Sequence, residues 1–316
     1  MAGTGAGLAV KVAKGDRRAA ARLLSALEDR DASAVEAYRE LYKRSGRAHI
    51  LGVTGPPGSG KSTLVNELIA AYRKARHRVA VVAVDPTSPF TGGAILGDRV
   101  RMLDHSLDPD VVIRSMASRG SMGGIAPATY QAAVVYDAMG FDKVIIETVG
   151  TGQLETDIIR CAHTVVVVTM PGTGDEVQVA KAGLFEIGDL FVVNKADKEG
   201  ADAIRREVET MLALGTFTKG WRPRVLMTVA ADGTGVAEVA AKADEHFAHL
   251  KASGHHREGE AARARHVILQ ELTEDLRERA RQALDSKGAR LIGEVASRRK
   301  DAATAAGELA RLLQAR

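Results

Sequence analysis

Ile50-Leu51-Gly52-Val53-Thr54-Gly55-Pro56-Pro57-Gly58-Ser59-Gly60-Lys61-Ser62-Thr63 joins an apolar run to a glycine-rich octapeptide of the form G-x-x-x-x-G-K-[ST], and helical spacing follows to Arg73. Glycines let a backbone wrap around phosphates with its N–H groups turned inward, and a helix N-terminus adds partial positive charge to the same spot. Gly55, Pro56, Pro57, Gly58, Ser59, Gly60 and Thr63 are therefore expected to line phosphate groups. Lys61 is expected to reach the β- and γ-phosphates, and Ser62 to place its hydroxyl on Mg²⁺. A strand before the motif and a helix after it are the context this reading requires.

Outward from this stretch the pattern repeats. Short runs rich in β-branched residues occur at Ile50 to Thr54, Val79 to Val84, Val111 to Ile113, Lys143 to Ile146, Val165 to Thr169, Leu190 to Val193 and Val225 to Val229. Most are followed by a polar or glycine loop and an amphipathic helix. Strands apolar on both faces and separated by helices predict an α/β fold, a doubly wound and mostly parallel sheet with helices on each side. Ligands of such sheets sit beyond the carboxyl ends of the strands. Residues 1–46 are expected to form a helical N-terminal segment, from the spacing of Leu23, Leu24, Leu27, Val35, Tyr38, Leu41 and Tyr42. Residues 47–250 form the nucleotide domain, Lys251 to His256 reads as a linker, and 251–316 as a whole is a helical extension. Its stripe Val267, Ile268, Leu269, Leu272 and Leu276 suits a dimerisation arm.

The base is decided by Asn194-Lys195-Ala196-Asp197, which follows the apolar run Leu190 to Val193 and fits N-K-x-D. A carboxylate at Asp197 would accept from the guanine N1–H and exocyclic amine. Adenine lacks that donor pair and would leave a buried acceptor unpaired. Thr228-Val229-Ala230 ends the next strand, where the Ala230 N–H is expected to face the guanine O6. Three carboxylates suit a metal-phosphate site: Asp85 at the end of one run, Asp98 after the loop Thr91 to Gly97, and Glu147 at the end of another. For Asp98 a helix N-cap is the plain alternative. Glu147-Thr148-Val149-Gly150 looks like the D-x-x-G switch element with Glu for Asp, and Gly150 could offer its N–H to a γ-phosphate.

Together with Thr91-Gly92-Gly93 through Gly97-Asp98-Arg99, Gly152-Gln153 and Pro171-Gly172-Thr173-Gly174-Asp175-Glu176, these motifs resemble the MeaB/ArgK family of G-proteins from about Ala48 to Ala230. That resemblance implies a homodimeric GTPase using GTP/GDP and Mg²⁺. It also implies a chaperone that gates cofactor loading of an adenosylcobalamin-dependent acyl-CoA mutase such as methylmalonyl-CoA mutase, and protects or reactivates it. Carried over, Lys61 and Ser62 hold phosphate and metal, and Asp85, Asp98 and Glu147 are the Mg²⁺ and switch carboxylates. Asn194, Lys195 and Asp197 hold the base, and Gly172 to Lys181 is a further switch loop that reads the partner. Gly150, Gln153 and Lys181 are then expected to serve hydrolysis. The chain departs from the family at Val229, where serine is usual, and at Thr151 and Leu154 near Gln153.

Composition narrows the rest. A single cysteine, Cys161, excludes an internal disulfide and a thiolate zinc site, and suits a reducing cytoplasm. No run approaches the roughly 18 apolar residues of a membrane span, and Met1 to Val10 lacks the basic and apolar regions of an export signal. The net charge of +4 is scattered and aromatic residues make up only 4%, so nucleic acid is not an expected partner. A metallochaperone GTPase would need clustered Cys and His, whereas Cys161, His163 and His255-His256 are sparse. A kinase of a transport system is disfavoured by N-K-x-D.

Overall fold

The computed structural model describes residues 5–85, 105, 107–117, 127–148, 157–172, 184–215 and 220–314. Seven strands form one sheet: β1 (His49–Thr54), β2 (Val79–Asp85), β3 (Val111–Ala117), β4 (Lys143–Thr148), β5 (Thr164–Thr169), β6 (Leu190–Asn194) and β7 (Arg224–Thr228). Their order is β3-β2-β4-β1-β5-β6-β7 and every pairing is parallel. The seven β-branched runs of the sequence are these seven strands, each within a few residues of its expected bounds. Central strands β1, β4, β5 and β6 are buried along their whole length, as two covered faces require.

One face is covered by α4 (Lys61–Lys74) and α8 (Val236–Ser253). There Leu64, Leu68, Ile69 and Tyr72 join Val239 and Ala243 in one cluster with Leu51, Val53, Val166 and Val192. The opposite face carries α5 (Pro127–Ala138) against β2 and β4, and α7 (Ala201–Leu214) against β6 and β7. Residues 132–138 are buried without interruption, because the N-terminal helices pack on α5 in turn. Between α5 and α7 in the chain lies the short α6 (Leu184–Ile187).

The N-terminal helical segment consists of three helices, α1 (Gly5–Ala13), α2 (Arg17–Glu28) and α3 (Ala32–Tyr42). The chain breaks where aspartates cap: Asp16 accepts from Ala19 N at 2.9 Å and Asp31 from Ser33 N at 2.8 Å. Arg30, at φ 55°, turns the chain between α2 and α3. An ion pair of low exposure, Arg114 with Glu28, ties α2 to β3.

Residues 1–260 form one compact unit and 261–316 a second. The expected linker Lys251 to His256 is helical except at Gly254, which sits at φ 84° between α8 and α9 (His255–Lys287). The second unit comprises the rest of α9, α10 (Ala289–Ala296) and α11 (Ala302–Gln314). Among the described residues no helix is long and apolar enough to cross a membrane.

Candidate functional site

The octapeptide Gly55 to Ser62 links β1 to α4, so the loop stands at the carboxyl edge of the central strand. Two of its glycines are required by geometry. Gly55 has φ 141°, and a Cβ there would lie 2.0 Å from the Val168 carbonyl oxygen. Gly60 has φ 88°, and its Cβ would lie 2.3 Å from Asn194 Nδ2. Left-handed backbone and the absence of a side chain therefore let β5 and β6 close onto the loop.

Lys61 is buried, and its Nζ donates to Gly55 O at 2.8 Å and Pro56 O at 2.9 Å. The ammonium is thus held inside the loop by backbone acceptors, at the start of α4. Ser62, next on that helix, donates from Oγ to Glu147 Oε1 at 2.6 Å. The register Val53↔Glu147 explains the meeting: β4 lies beside β1, so the last turn of β4 delivers its carboxylate to the first turn of α4. Glu147 is only 3% exposed. One residue further, buried Thr148 Oγ1 donates to Thr54 Oγ1 at 3.1 Å, which pins the root of the Glu147 segment to the root of the phosphate loop.

At the end of β6, Asn194 braces three segments. Its Nδ2 donates to Ser59 O at 2.9 Å, and its Oδ1 accepts from Thr228 Oγ1 at 3.1 Å and Ala230 N at 3.0 Å. Lys195, at φ 56°, sends Nζ to Gly58 O at 2.8 Å and to Met170 Sδ at 2.9 Å. Asp197 stands exposed in the turn that follows. Asn194 and Lys195 thus hold phosphate loop and base loop together, leaving Asp197 as the outward carboxylate. The Ala230 N–H, expected to face a guanine O6, donates to Asn194 Oδ1 at 3.0 Å, a contact that orders the base loop.

Asp85 is the last residue of β2, with its backbone beside Ala117 of β3; its side chain lies outside what is described. Asp98, Gly150, Gln153 and Lys181 lie outside the described residues, as does most of Gly172 to Lys181. Met170 was not singled out by sequence reasoning, and Thr54, Thr148 and Thr228 were quoted there only as members of runs and motifs, without their bracing contacts. Each directly follows or ends an apolar strand, the position at which this fold places ligand-facing groups, and that was the available signal.

A parallel sheet with this loop, a Ser–Glu oxygen pair at the phosphate end and an Asn-Lys-x-Asp turn at the other defines a P-loop GTPase. Residues 18–285 match the family described as methylmalonyl Co-A mutase-associated GTPase MeaB, and the chain belongs to that family. A provisionally named GTPase of Pyrococcus abyssi is 54% identical over 247 residues, covering 77% of this chain and 76% of its own. GTPase ArgK of Escherichia coli is 35% identical over 237 residues, 72% of each chain. The methylmalonic aciduria type A homolog of Caenorhabditis elegans is 37% identical over 224 residues, 68% of this chain and 56% of that one. In fold the chain is similar to the crystal structure of LAO/AO transport system kinase, at 24% identity and TM-score 0.72 over 99% of both chains. The protein binds guanine nucleotide and hydrolyses GTP to GDP and phosphate.

Proposed function

We propose that this GTPase is a nucleotide-driven switch that gates cofactor loading of an adenosylcobalamin-dependent acyl-CoA mutase, and protects or reactivates it. The observation that carries the reading is the Ser62–Glu147 contact of 2.6 Å. It joins the phosphate loop to the segment Glu147-Thr148-Val149-Gly150, so a change at the terminal phosphate bears directly on a strand end that continues into a candidate switch. The family's description, as associated with methylmalonyl Co-A mutase, supports the choice of partner.

A hydroxyl and a carboxylate oxygen so close together are a hard all-oxygen donor set, which fits Mg²⁺. Ser62 and Glu147 would hold it, with Asp85 and Asp98 in direct or water-bridged support. When bound, the ion neutralises charge on the β- and γ-phosphates. Lys61 orients the same phosphates, and Asn194, Lys195 and Asp197 hold the base. Gly150 would sense the γ-phosphate, while Gln153 and Lys181 serve hydrolysis once the partner docks. A homodimer through the α9 stripe and a cytoplasmic location belong to the same reading.

A metal-loading role is disfavoured. Ligand atoms of His163, His256 and Glu260 do lie within 4.8 Å of one another. However, His163 Nδ1 accepts the Ile50 N–H at 2.9 Å, which fixes the ring proton on Nε2, where it faces Glu260 Oε1 at 3.0 Å. The nitrogen a metal would need is the protonated one.

Size-exclusion of the full chain with a candidate mutase, under GDP and under a non-hydrolysable GTP analogue, tests the proposal. A complex whose stability differs between the two nucleotides is expected. No association with any adenosylcobalamin-dependent acyl-CoA mutase from the same genome would refute it.

A further inference from the structure

Side chains alternate along β1. Leu51 and Val53 point into the cluster under α4 and α8, so Gly52 and Thr54 face the opposite side of the sheet. On that side each of the two meets one end of the stretch of chain that follows β4. Where the stretch begins, Thr148 Oγ1 donates to Thr54 Oγ1 at 3.1 Å, and both side chains are fully buried. Where it returns, Ile158 opens the 3₁₀ turn Ile158–Arg160 and is fully buried against Gly52.

The fit at Gly52 is close. A Cβ there would lie 2.5 Å from Ile158 Cγ1, 2.8 Å from its Cδ1 and 3.0 Å from Ala162 Cβ. The strand therefore has a notch where a side chain would stand, and Ile158 fills it. Backbone hydrogen bonds hold the turn from the other side: Cys161 N and Ala162 N donate to Ile158 O at 3.0 and 2.9 Å, and His163 N donates to Ile50 O at 2.8 Å as the chain enters β5.

Between these two anchors the sequence carries Gly150 and Gln153. Directly before the first stands Glu147, whose Oε1 meets Ser62 Oγ. Glu147 is in register with Val53, and Ile146 with Gly52. The strand that runs into the phosphate loop is thus also the strand on which the stretch after β4 starts and finishes. Groups that act on a reacting phosphate need exact placement, since a misplacement of about 1 Å can cost on the order of 10²-fold in rate.

We propose that Thr148 and Ile158 are positioning residues for GTP hydrolysis, seated on the Thr54 hydroxyl and in the Gly52 notch, and that through them β1 sets the chain from Glu147 to Gln153 relative to the phosphate loop. The proposal rests on the reading that Glu147 and Gln153 act at the terminal phosphate, and it names what fixes them there. Neither anchor belongs to the phosphate loop or the base turn, so its loss falls on the chemical step and not on GDP binding. Packing alone would act differently: its loss would lower the melting temperature and leave the rate of the nucleotide-bound molecule unchanged.

Single-turnover GTP hydrolysis by the full-length protein at saturating protein concentration, alongside GDP titration and thermal unfolding, tests the two anchors. Thr148→Val removes the hydroxyl at nearly constant shape and should slow hydrolysis at least about tenfold. GDP affinity should change by less than about threefold. Thr148→Ser keeps the hydroxyl and should restore most of the rate. Ile158→Ala empties the notch and should slow hydrolysis in the same way, as should Gly52→Ala, which drives Ile158 out. Combining Gly52→Ala with Ile158→Ala removes that clash and should be faster than Gly52→Ala alone. A wild-type rate in Thr148→Val or in Ile158→Ala overturns that anchor, and a loss of GDP affinity as large as the loss of rate overturns the positioning role. If Gly52→Ala does not fold, the Thr148 and Ile158 variants decide the matter. Slow hydrolysis by Glu147→Ala with wild-type rates in both anchor variants would remove the anchors and leave Glu147 at the phosphate; wild-type rates in all three would overturn both readings.

Discussion

Ser62 Oγ and Glu147 Oε1 stand 2.6 Å apart at the meeting of α4 and β4, and both residues are buried. On the proposed reading, that proximity puts Glu147 at the terminal phosphate and not at the base. Glu147→Ala should lower GTP turnover about 10²- to 10³-fold, the usual effect of losing a pre-placed electrostatic partner. GDP affinity should change by less than about tenfold, since the phosphate loop and base turn are intact. Steady-state turnover alongside GDP titration checks both; wild-type turnover would remove Glu147 from the site.

Guanine selectivity is assigned to Asp197, the exposed carboxylate beyond the Asn194–Lys195 brace. Asp197→Asn replaces an ionic acceptor with a neutral amide and should weaken GDP by about 1.5–3 kcal/mol. Equal GDP affinity in wild type and variant, measured by fluorescence titration, would refute the base assignment.

Phosphate and base loops touch at Gly60, whose Cβ position is 2.3 Å from Asn194 Nδ2. Gly60→Ala puts a side chain into left-handed backbone and against the asparagine that braces both loops. We expect a loss of stability of about 1–3 kcal/mol and a loss of GDP affinity of at least about tenfold. Denaturant unfolding and titration separate the two; unchanged binding would show that the brace is dispensable.

Much of this was legible in the sequence, and for a physical reason. Buried parallel strands must be apolar along their whole length, so β1, β4, β5 and β6 announced themselves as runs. The phosphate loop was legible because only glycine suits the backbone at Gly55 and Gly60. The meeting of His49, Thr164 and His246 was not, since these residues are far apart in sequence and come together only in the fold. Nor was the engagement of the Ala230 N–H, which depends on the rotamer of Asn194.

In the second unit, Ile268, Leu269, Leu272 and Leu276 are between 46% and 66% exposed on α9. Apolar surface costs about 25 cal/mol per Å² in water, and a second copy of the chain would cover this stripe. Leu272→Glu combined with Leu276→Glu should convert a dimer to a monomer in light scattering while leaving GDP binding within about twofold. A dimer that persists would exclude the stripe.

The switch reading is tested most directly by single-turnover GTP hydrolysis with and without a cognate adenosylcobalamin-dependent acyl-CoA mutase. Thr151 directly follows Gly150, and Gln153 comes two residues later, so the isolated protein should be slow. Adding the mutase should accelerate hydrolysis at least about tenfold, roughly 1.4 kcal/mol of barrier. Ala at Gln153 or Lys181 should reduce the stimulated rate far more than the basal one. A fast basal rate, or one indifferent to every such mutase in the same genome, would leave a GTPase and contradict its role as the gate of a mutase.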